Sequence, residues 1–510
     1  MTTSTHRPEL HLTAEIGVLN APAGILLDGS DWHLFHQFQT KLDQPARWAH
    51  VIAEHTPFHW EICNDVIAPR AGELKVRAGS VTSHGAGAHL YFTSVTDAGT
   101  TIQLARLNNL LESMTEVDEE GSTIDPGVKR IGRIVPASEE FHDFRSPCVV
   151  PGWLTEEDRS GGHEGWLMLA LTGPVETPTM VVLTSPDGQD WHLLGPLTFE
   201  NPTGLPADTP VVSPRIIRLH DEVDEEIRDI LLVTIEQKDQ EIAGYLVGEL
   251  HGATFRVTSP FTRLDYGHDF TRPRNTNITP GTLADPERYN QAVLIGLMNG
   301  SGRQDKPEEH LSWQEEGWAN CLSLPRVVTL QGGVLYQTPT AGLIDAIAES
   351  DSAAAWTGLA DIPVGGQLQV DILDGEGRPA ARISHHGDSV VLDRSMNPHH
   401  KGDPQASAPL IEGDTDALTI IVDGSTVEVF ADGGVATLSS RVYFDGGASG
   451  FMVSTAGDAE LRRSYERRSR NHYSEAFAHL DDTDFAIEDL WAEDEDVWGE
   501  DDSIDEGLVR

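Results

Sequence analysis

Residues 417–434 read ALTIIVDGSTVEVFADGG. Apolar and polar side chains alternate through this stretch, and in an extended chain successive residues serve opposite faces. A strand of this kind buries one face and leaves the other polar, as in a β-sandwich. The same alternation runs through QLQVDILD (367–374), ARISHHGDSVVLD (381–393) and GFMVSTAG (450–457). A β-rich section is therefore expected from about Ala354 onward.

Toward the amino terminus the chain also reads as short strands between turns. GILLDGSDWHLFHQF (24–38), GAHLYFTSV (87–95), GWLMLALTG (165–173) and TMVVLTSPDGQDWHLLGPL (179–197) are rich in apolar, β-branched or aromatic residues. Each is bounded by Gly, Asp, Ser or Pro. Helical periodicity is weak, with GLIDAIAES (342–350) the best short candidate. Many short strands with regular turns argue for an all-β propeller, barrel or sandwich. TPFHWEICNDVIAP (56–69) and SPDGQDWHLLGPLT (185–198) share a turn, then Trp60 or Trp191, then an apolar close. A recurring unit of that kind suits propeller blades. Trp191 reads more simply as the cap of a hydrophobic core.

The chain has 510 residues, enough for two to four domains and a sizeable core. Its three cysteines, Cys63, Cys148 and Cys321, are far apart and form no zinc spacing, which suits a reducing compartment. The opening MTTSTHRPELHL lacks a basic start followed by an apolar stretch, so no signal peptide is expected. No apolar run is long enough for a membrane helix. These features predict a cytoplasmic protein. A formal net charge of -47 repels phosphate backbones and anionic membranes, which argues against nucleic acid and membrane partners. It offers no obvious field for an anionic substrate, and a neutral ligand such as a sugar fits better. Residues 471–510 form a strongly acidic tail, expected to be disordered. Phe485, Leu490, Trp491 and Trp498 interrupt the acid, so the tail reads as either a solubilising segment or a docking element for a protein partner.

Several stretches together resemble glycoside hydrolase family 32, the invertase, levanase and sucrose-6-phosphate hydrolase group. Asn20-Ala21-Pro22-Ala23-Gly24 resembles the family's Asn-Asp-Pro-Asn-Gly motif, and RWAHVIAEHTPFHW (47–60) its Trp-Gly-His segment. Ala78-Gly79-Ser80 resembles Ser-Gly-Ser, and FHDFRSPCVV (141–150) the Phe-Arg-Asp-Pro motif. LDYGHDFTRPRNT (264–276), GWANCLSLPRVVTL (317–330) and VDGSTVEVFADGG (422–434) complete the series in family order. The resemblance covers roughly residues 7–465. It implies a five-bladed β-propeller at 1–340, a β-sandwich at 341–470 and the tail beyond.

Retaining glycosidases use two carboxyl groups, a nucleophile and an acid/base. The family adds a third that holds sugar hydroxyls. Carried over, the nucleophile position is Ala21, the sugar-clamping position Ser146, and the acid/base position Val212 in VVSPRIIRL (211–219). None is a carboxylate, and loss of both covalent and acid–base help removes orders of magnitude of rate. Asp143 and Asp265 are possible substitutes. Glu236 lies too far along to replace Val212 without a large shift, and Asp28 and Asp31 read as turn residues. Asn20, Gln37, Trp48, Ser80, Arg145 and Trp318 match family positions near the sugar; each also reads as a scaffold residue. The pairs His385-His386 and His399-His400 read as surface loops, and no metal or cofactor is expected. The resemblance thus implies a non-catalytic protein that binds a fructose-containing sugar. The alternatives are an active β-fructofuranosidase with relocated carboxylates, or an interaction scaffold using the acidic tail.

Overall fold

The computed structural model describes residues 6–111, 124–152, 165–207, 209–237, 240–284, 287–299, 306–400, 402–410 and 416–469. Strands dominate. The helix expected at 342–350 is present as Leu343–Glu349; a second, Leu311–Glu316, is closed by Gly317 in the left-handed region.

Four sheets occupy the first two thirds of the chain. The largest runs from Val334–Pro339 through Arg326–Gln331, Ala292–Met298 and Phe270–Ile278 to Gly17–Asp28, Asp31–Gln39 and Arg47–Glu54. Its parallel pairing of Gly17–Asp28 with Phe270–Ile278, Ile25 opposite Thr276, joins the start of the chain to a segment about 250 residues later. Lys75–His84 opens a four-stranded sheet, Arg145–Pro151 another, and Val211–His220 lies at the edge of a five-stranded one.

These edge strands converge on Gly17–Asp28 and Phe270–Ile278, in the manner of propeller blades. Polar side chains stitch them together. Asn277 donates to the carbonyls of Val81 and Val149, Ser80 Oγ to the Val149 carbonyl, and buried Arg215 to the carbonyls of Ser146 and Gly79. Buried donors must be matched in this way, because an unmatched one costs about 1–3 kcal/mol.

The last third forms two facing five-stranded sheets. Leu368, Val370, Ile372 and Ile383 of one sheet share a core with Ile420, Val422, Val427 and Leu438 of the other. This is the sandwich that the alternation predicts. One strand departs from the prediction: all six residues of Thr426–Ala431 are buried, so neither face meets water. Its second face lies against the first part of the chain. There Arg326 donates to Glu428 and Asp265, and Glu428 also faces His11. The polar positions of that strand match buried partners instead of solvent.

Candidate functional site

A cavity of about 720 Å³ opens where the converging strands meet. That volume lies within the usual range for ligand pockets. The structure brings the three motif positions together on its wall: Ala21, Ser146 and Val212 all line it, with Asn20, Gln37 and Arg145. Ser146 takes the left-handed region (φ 55°), its N–H donates to Thr93 Oγ1 and its hydroxyl to the Val212 carbonyl. Asn20 donates to Gln39, Gln37 accepts the Ala78 N–H, and Arg145 donates to the carbonyls of Asp143, Gly173 and Pro174.

The other motif residues stand outside the lining. Trp48 is fully buried, and its indole N–H donates to the Arg77 carbonyl. Ser80 pins the Lys75–His84 strand to Val149. Trp318 is equally buried, donating to Glu316 with the guanidiniums of Arg7 and Arg441 about its ring. All three hold the scaffold.

Neither substitute carboxylate reaches the cavity. Asp143 lies in a left-handed turn (φ 56°) before the strand begins at Arg145, with its carboxylate on the Thr100 N–H and beside His142. The Thr100 bond is the main influence holding its pKa below the usual range. Asp265 is sealed between Arg326, Thr437 and Ser439. Asp28 and Asp31 close the expected two-residue hairpin.

Sequence reasoning set Glu236 aside as too far along the chain and passed over Glu241. Glu236 and Glu241 sit opposite one another in the hairpin of Ile227–Gln237 and Gln240–His251, and both line the cavity. Glu236 is exposed, and its carboxylate makes no hydrogen bond among the described residues. Glu241 accepts from Arg272 and from Thr271 Oγ1. Nothing in the sequence around Glu236 signalled that pairing with Gln240–His251 would bring the two glutamates to the cavity.

The cavity is also rich in arginine. Arg77, Arg272 and Arg274 join Arg145 and Lys75 on its wall. Burial is the first influence lowering the pKa of Arg77, and the charge of Arg272 the second; for Arg145 they are burial and Arg77. For Arg274 burial comes first and Arg215 second. The acidity of the whole chain therefore does not describe this cavity, contrary to the expectation from net charge. Alternate residues of FTRPRNT placed two of these arginines within one strand, but a register irregularity between Thr271 and Arg274 and the positive φ of Arg272 (48°) decide where they point.

One member of each histidine pair is buried, a correction to the surface-loop expectation. His385 donates from Nε2 toward Asp432 and accepts the Gly387 N–H at Nδ1; His400 stacks on Tyr443 at 5.5 Å. His385, Asp416 and Asp432 each bring one potential ligand atom within 4.8 Å of the others. With both ring nitrogens of His385 engaged, protein hydrogen bonds account for that cluster. The cysteines are free and buried, and no described helix is long and apolar enough to cross a membrane. The acidic tail lies outside the described residues.

Converging sheets that enclose a polar cavity, followed by a sandwich, define an all-β protein in two parts. The chain belongs to glycosyl hydrolases family 32, matching the family's N-terminal domain over residues 11–339 and its C-terminal domain over 379–466. It is 23% identical to sucrose-6-phosphate hydrolase of Escherichia coli over 481 residues, 86% of this chain and 90% of that protein. It is likewise 23% identical to raffinose invertase of Escherichia coli over 477 residues, 86% and 90% of the two chains. Among solved structures, sucrose-6-phosphate hydrolase from Lactobacillus gasseri superposes with a TM-score of 0.70 at 18% identity, covering 92% of this chain and 94% of that one. A Bombyx mori family 32 β-fructofuranosidase mutant in complex with sucrose gives 0.68 at 20% identity, with 91% and 94% covered.

Proposed function

We propose that the cavity is a carbohydrate site for a fructose-containing sugar, and that the carboxylates able to hydrolyse it are Glu236 and Glu241. The observation that carries this is their position directly opposite one another on the cavity wall. Facing residues in an antiparallel pair have Cβ atoms about 4.5–5.5 Å apart. Retaining glycosidases need carboxyl groups about 5–5.5 Å apart. Each carboxyl carbon lies two bonds beyond its Cβ, so rotation about those bonds lets the pair reach that separation across one glycosidic bond. Glu241, fixed by Arg272 and Thr271, takes the nucleophile role; Glu236, free of partners among the described residues, takes the acid/base role. The hydrolases among the relatives support hydrolysis of a fructose-containing sugar; the assignment to Glu236 and Glu241 rests on their place in the cavity.

A second reading has its own observation. Ala21, Ser146 and Val212, which by resemblance stand at the family's carboxylate positions, present a methyl, a hydroxyl and an isopropyl group to the cavity. On that reading the protein binds the sugar without cutting it.

The deciding experiment measures fructose release from sucrose, sucrose 6-phosphate, inulin and levan by the purified chain. Release that vanishes in Glu236→Gln while sugar binding persists supports hydrolysis by this pair. Calorimetric binding without release supports the non-catalytic reading, and absence of both removes the carbohydrate site.

The same proposal assigns residues 1–340 to a five-bladed propeller, counting the ten-stranded sheet as the first and last blades joined by their parallel pairing, and 341–470 to the sandwich. It places the protein in the cytoplasm.

A further inference from the structure

We infer that the sugar taken by this cavity is anionic, and that its phosphate or carboxylate is seated by Arg77 with Arg145 and Arg274. The inference rests on the carbohydrate reading and adds the charge of the ligand.

The wall carries five cationic side chains, Lys75, Arg77, Arg145, Arg272 and Arg274, against three acidic ones, Asp43, Glu236 and Glu241. This is a local reversal of sign in a chain of net charge -47. Among the four arginines only Arg272 is paired with one of those acids, Glu241. Arg145 spends its hydrogen bonds on three carbonyl oxygens, and Arg274 on two carbonyls and the Ser213 hydroxyl. Carbonyls and hydroxyls orient a guanidinium without cancelling its charge. Arg274 Nε is buried with no partner.

Arg77 differs from the others. It lines the cavity wall, open to solvent yet crowded enough for its charge to be partly desolvated, and makes no hydrogen bond or ion pair among the described residues, so no scaffold role explains it. A register irregularity between Arg77 and Ser80 marks the point where its strand departs from regular pairing. Like charges gathered in a partly desolvated site raise the energy of the empty protein. An oxyanion relieves that repulsion, and the planar guanidinium fork matches both carboxylate and phosphate. Ala21, Ser146 and Val212 add no negative charge to oppose it.

The test is calorimetric titration of the full chain, in low-salt buffer free of phosphate, with fructose, fructose 6-phosphate, gluconate and inorganic phosphate. Arg77→Gln is run in parallel, with thermal melting to confirm its fold. Charge-assisted hydrogen bonds predict that at least one anionic sugar binds about tenfold or more tighter than fructose. Arg77→Gln should collapse that ratio, and added salt should shrink it. The gluconate and phosphate arms identify which oxyanion the site prefers. Equal affinities for charged and neutral sugars, or a ratio that survives in Arg77→Gln, overturn the inference and leave the carbohydrate site standing. Phosphate binding that depends on Arg77, with no sugar bound, upholds the anion site and removes the carbohydrate reading. No binding of any probe overturns both.

Discussion

Glu241 is held by Arg272 in the cavity wall while Glu236, directly across the hairpin, faces the open space. Glu241 thus cancels one of the cavity's positive charges. Replacing it with Gln keeps the shape and removes the negative charge beside Arg272. Glu241→Gln should bind inorganic phosphate several-fold more tightly than the natural chain, by roughly the value of one partly exposed charge interaction. Any fructose release should fall at the same time, because the fixed carboxylate is gone. Calorimetry and a fructose assay on one preparation check both. Unchanged phosphate affinity would mean that Arg272 does not reach the ligand.

Arg326 is the hub between the two parts of the chain. Its guanidinium meets Glu428 and Asp265 while almost entirely out of water. Removing one member of a buried ion network leaves the others as uncompensated charge, at about 3–5 kcal/mol. Arg326→Met should lose stability on that scale in urea unfolding. Arg326→Lys should recover only part of it, because an ammonium cannot reproduce the fork that serves both carboxylates. A loss below about 1 kcal/mol for the Met variant would show that repacking replaces the network, as buried ion pairs sometimes allow.

The sandwich was legible because alternation reports a single buried face, and Leu368, Val370 and Ile372 behave accordingly. The burial of Glu428 was not, since its partners His11 and Arg326 lie 417 and 102 residues away. Motif order located Ala21, Ser146 and Val212 on one cavity. It also pointed to Trp48 and Trp318, because a motif cannot separate a residue that touches ligand from one that supports the residues that do. Arg77 and Arg274 escaped notice for another reason. A single Arg in a strand reads as a surface residue, and only the converging sheets bring these two to the cavity that Arg145 lines. A net charge summed over the chain conceals such a cluster.

Gly79 lies where the Lys75–His84 strand crosses close to its neighbour. A Cβ built there would fall 1.9 Å from the Tyr91 carbonyl oxygen, a backbone atom that cannot step aside. Gly79→Ala should therefore destabilise by at least the usual 1–3 kcal/mol (roughly) of overpacking. Gly402, with nothing within 4 Å of the equivalent position and no left-handed φ, is the control. Gly402→Ala should stay within about 0.5 kcal/mol of the natural chain. Thermal melts of the pair decide whether the strands approach as closely as described.

His11 sets a pH limit on the joint between the two parts. Burial alone would lower its pKa, but Asp423 at 2.8 Å and Glu428 at 3.0 Å face its two ring nitrogens and raise it to about 9. Both nitrogens then donate, which only the charged ring can do. Its contribution is complete below the ordinary value of 6.5 and disappears as pH rises through about 9. On the scale of 1.36 kcal/mol per pKa unit that contribution is on the order of 3 kcal/mol. Glu428 works in the opposite sense. Burial would raise its pKa, yet Arg326 and His11 lower it from 4.5 to about 2, so its contribution is present above 4.5 and fades as pH falls toward 2. The two groups together stabilise most between about 4.5 and 6.5. Melting temperature should fall as pH is raised from 6.5 to 9, and His11→Gln, starting lower, should show a flatter decline over that interval. Parallel slopes in the two proteins would mean that His11 is not the charged bridge between Asp423 and Glu428.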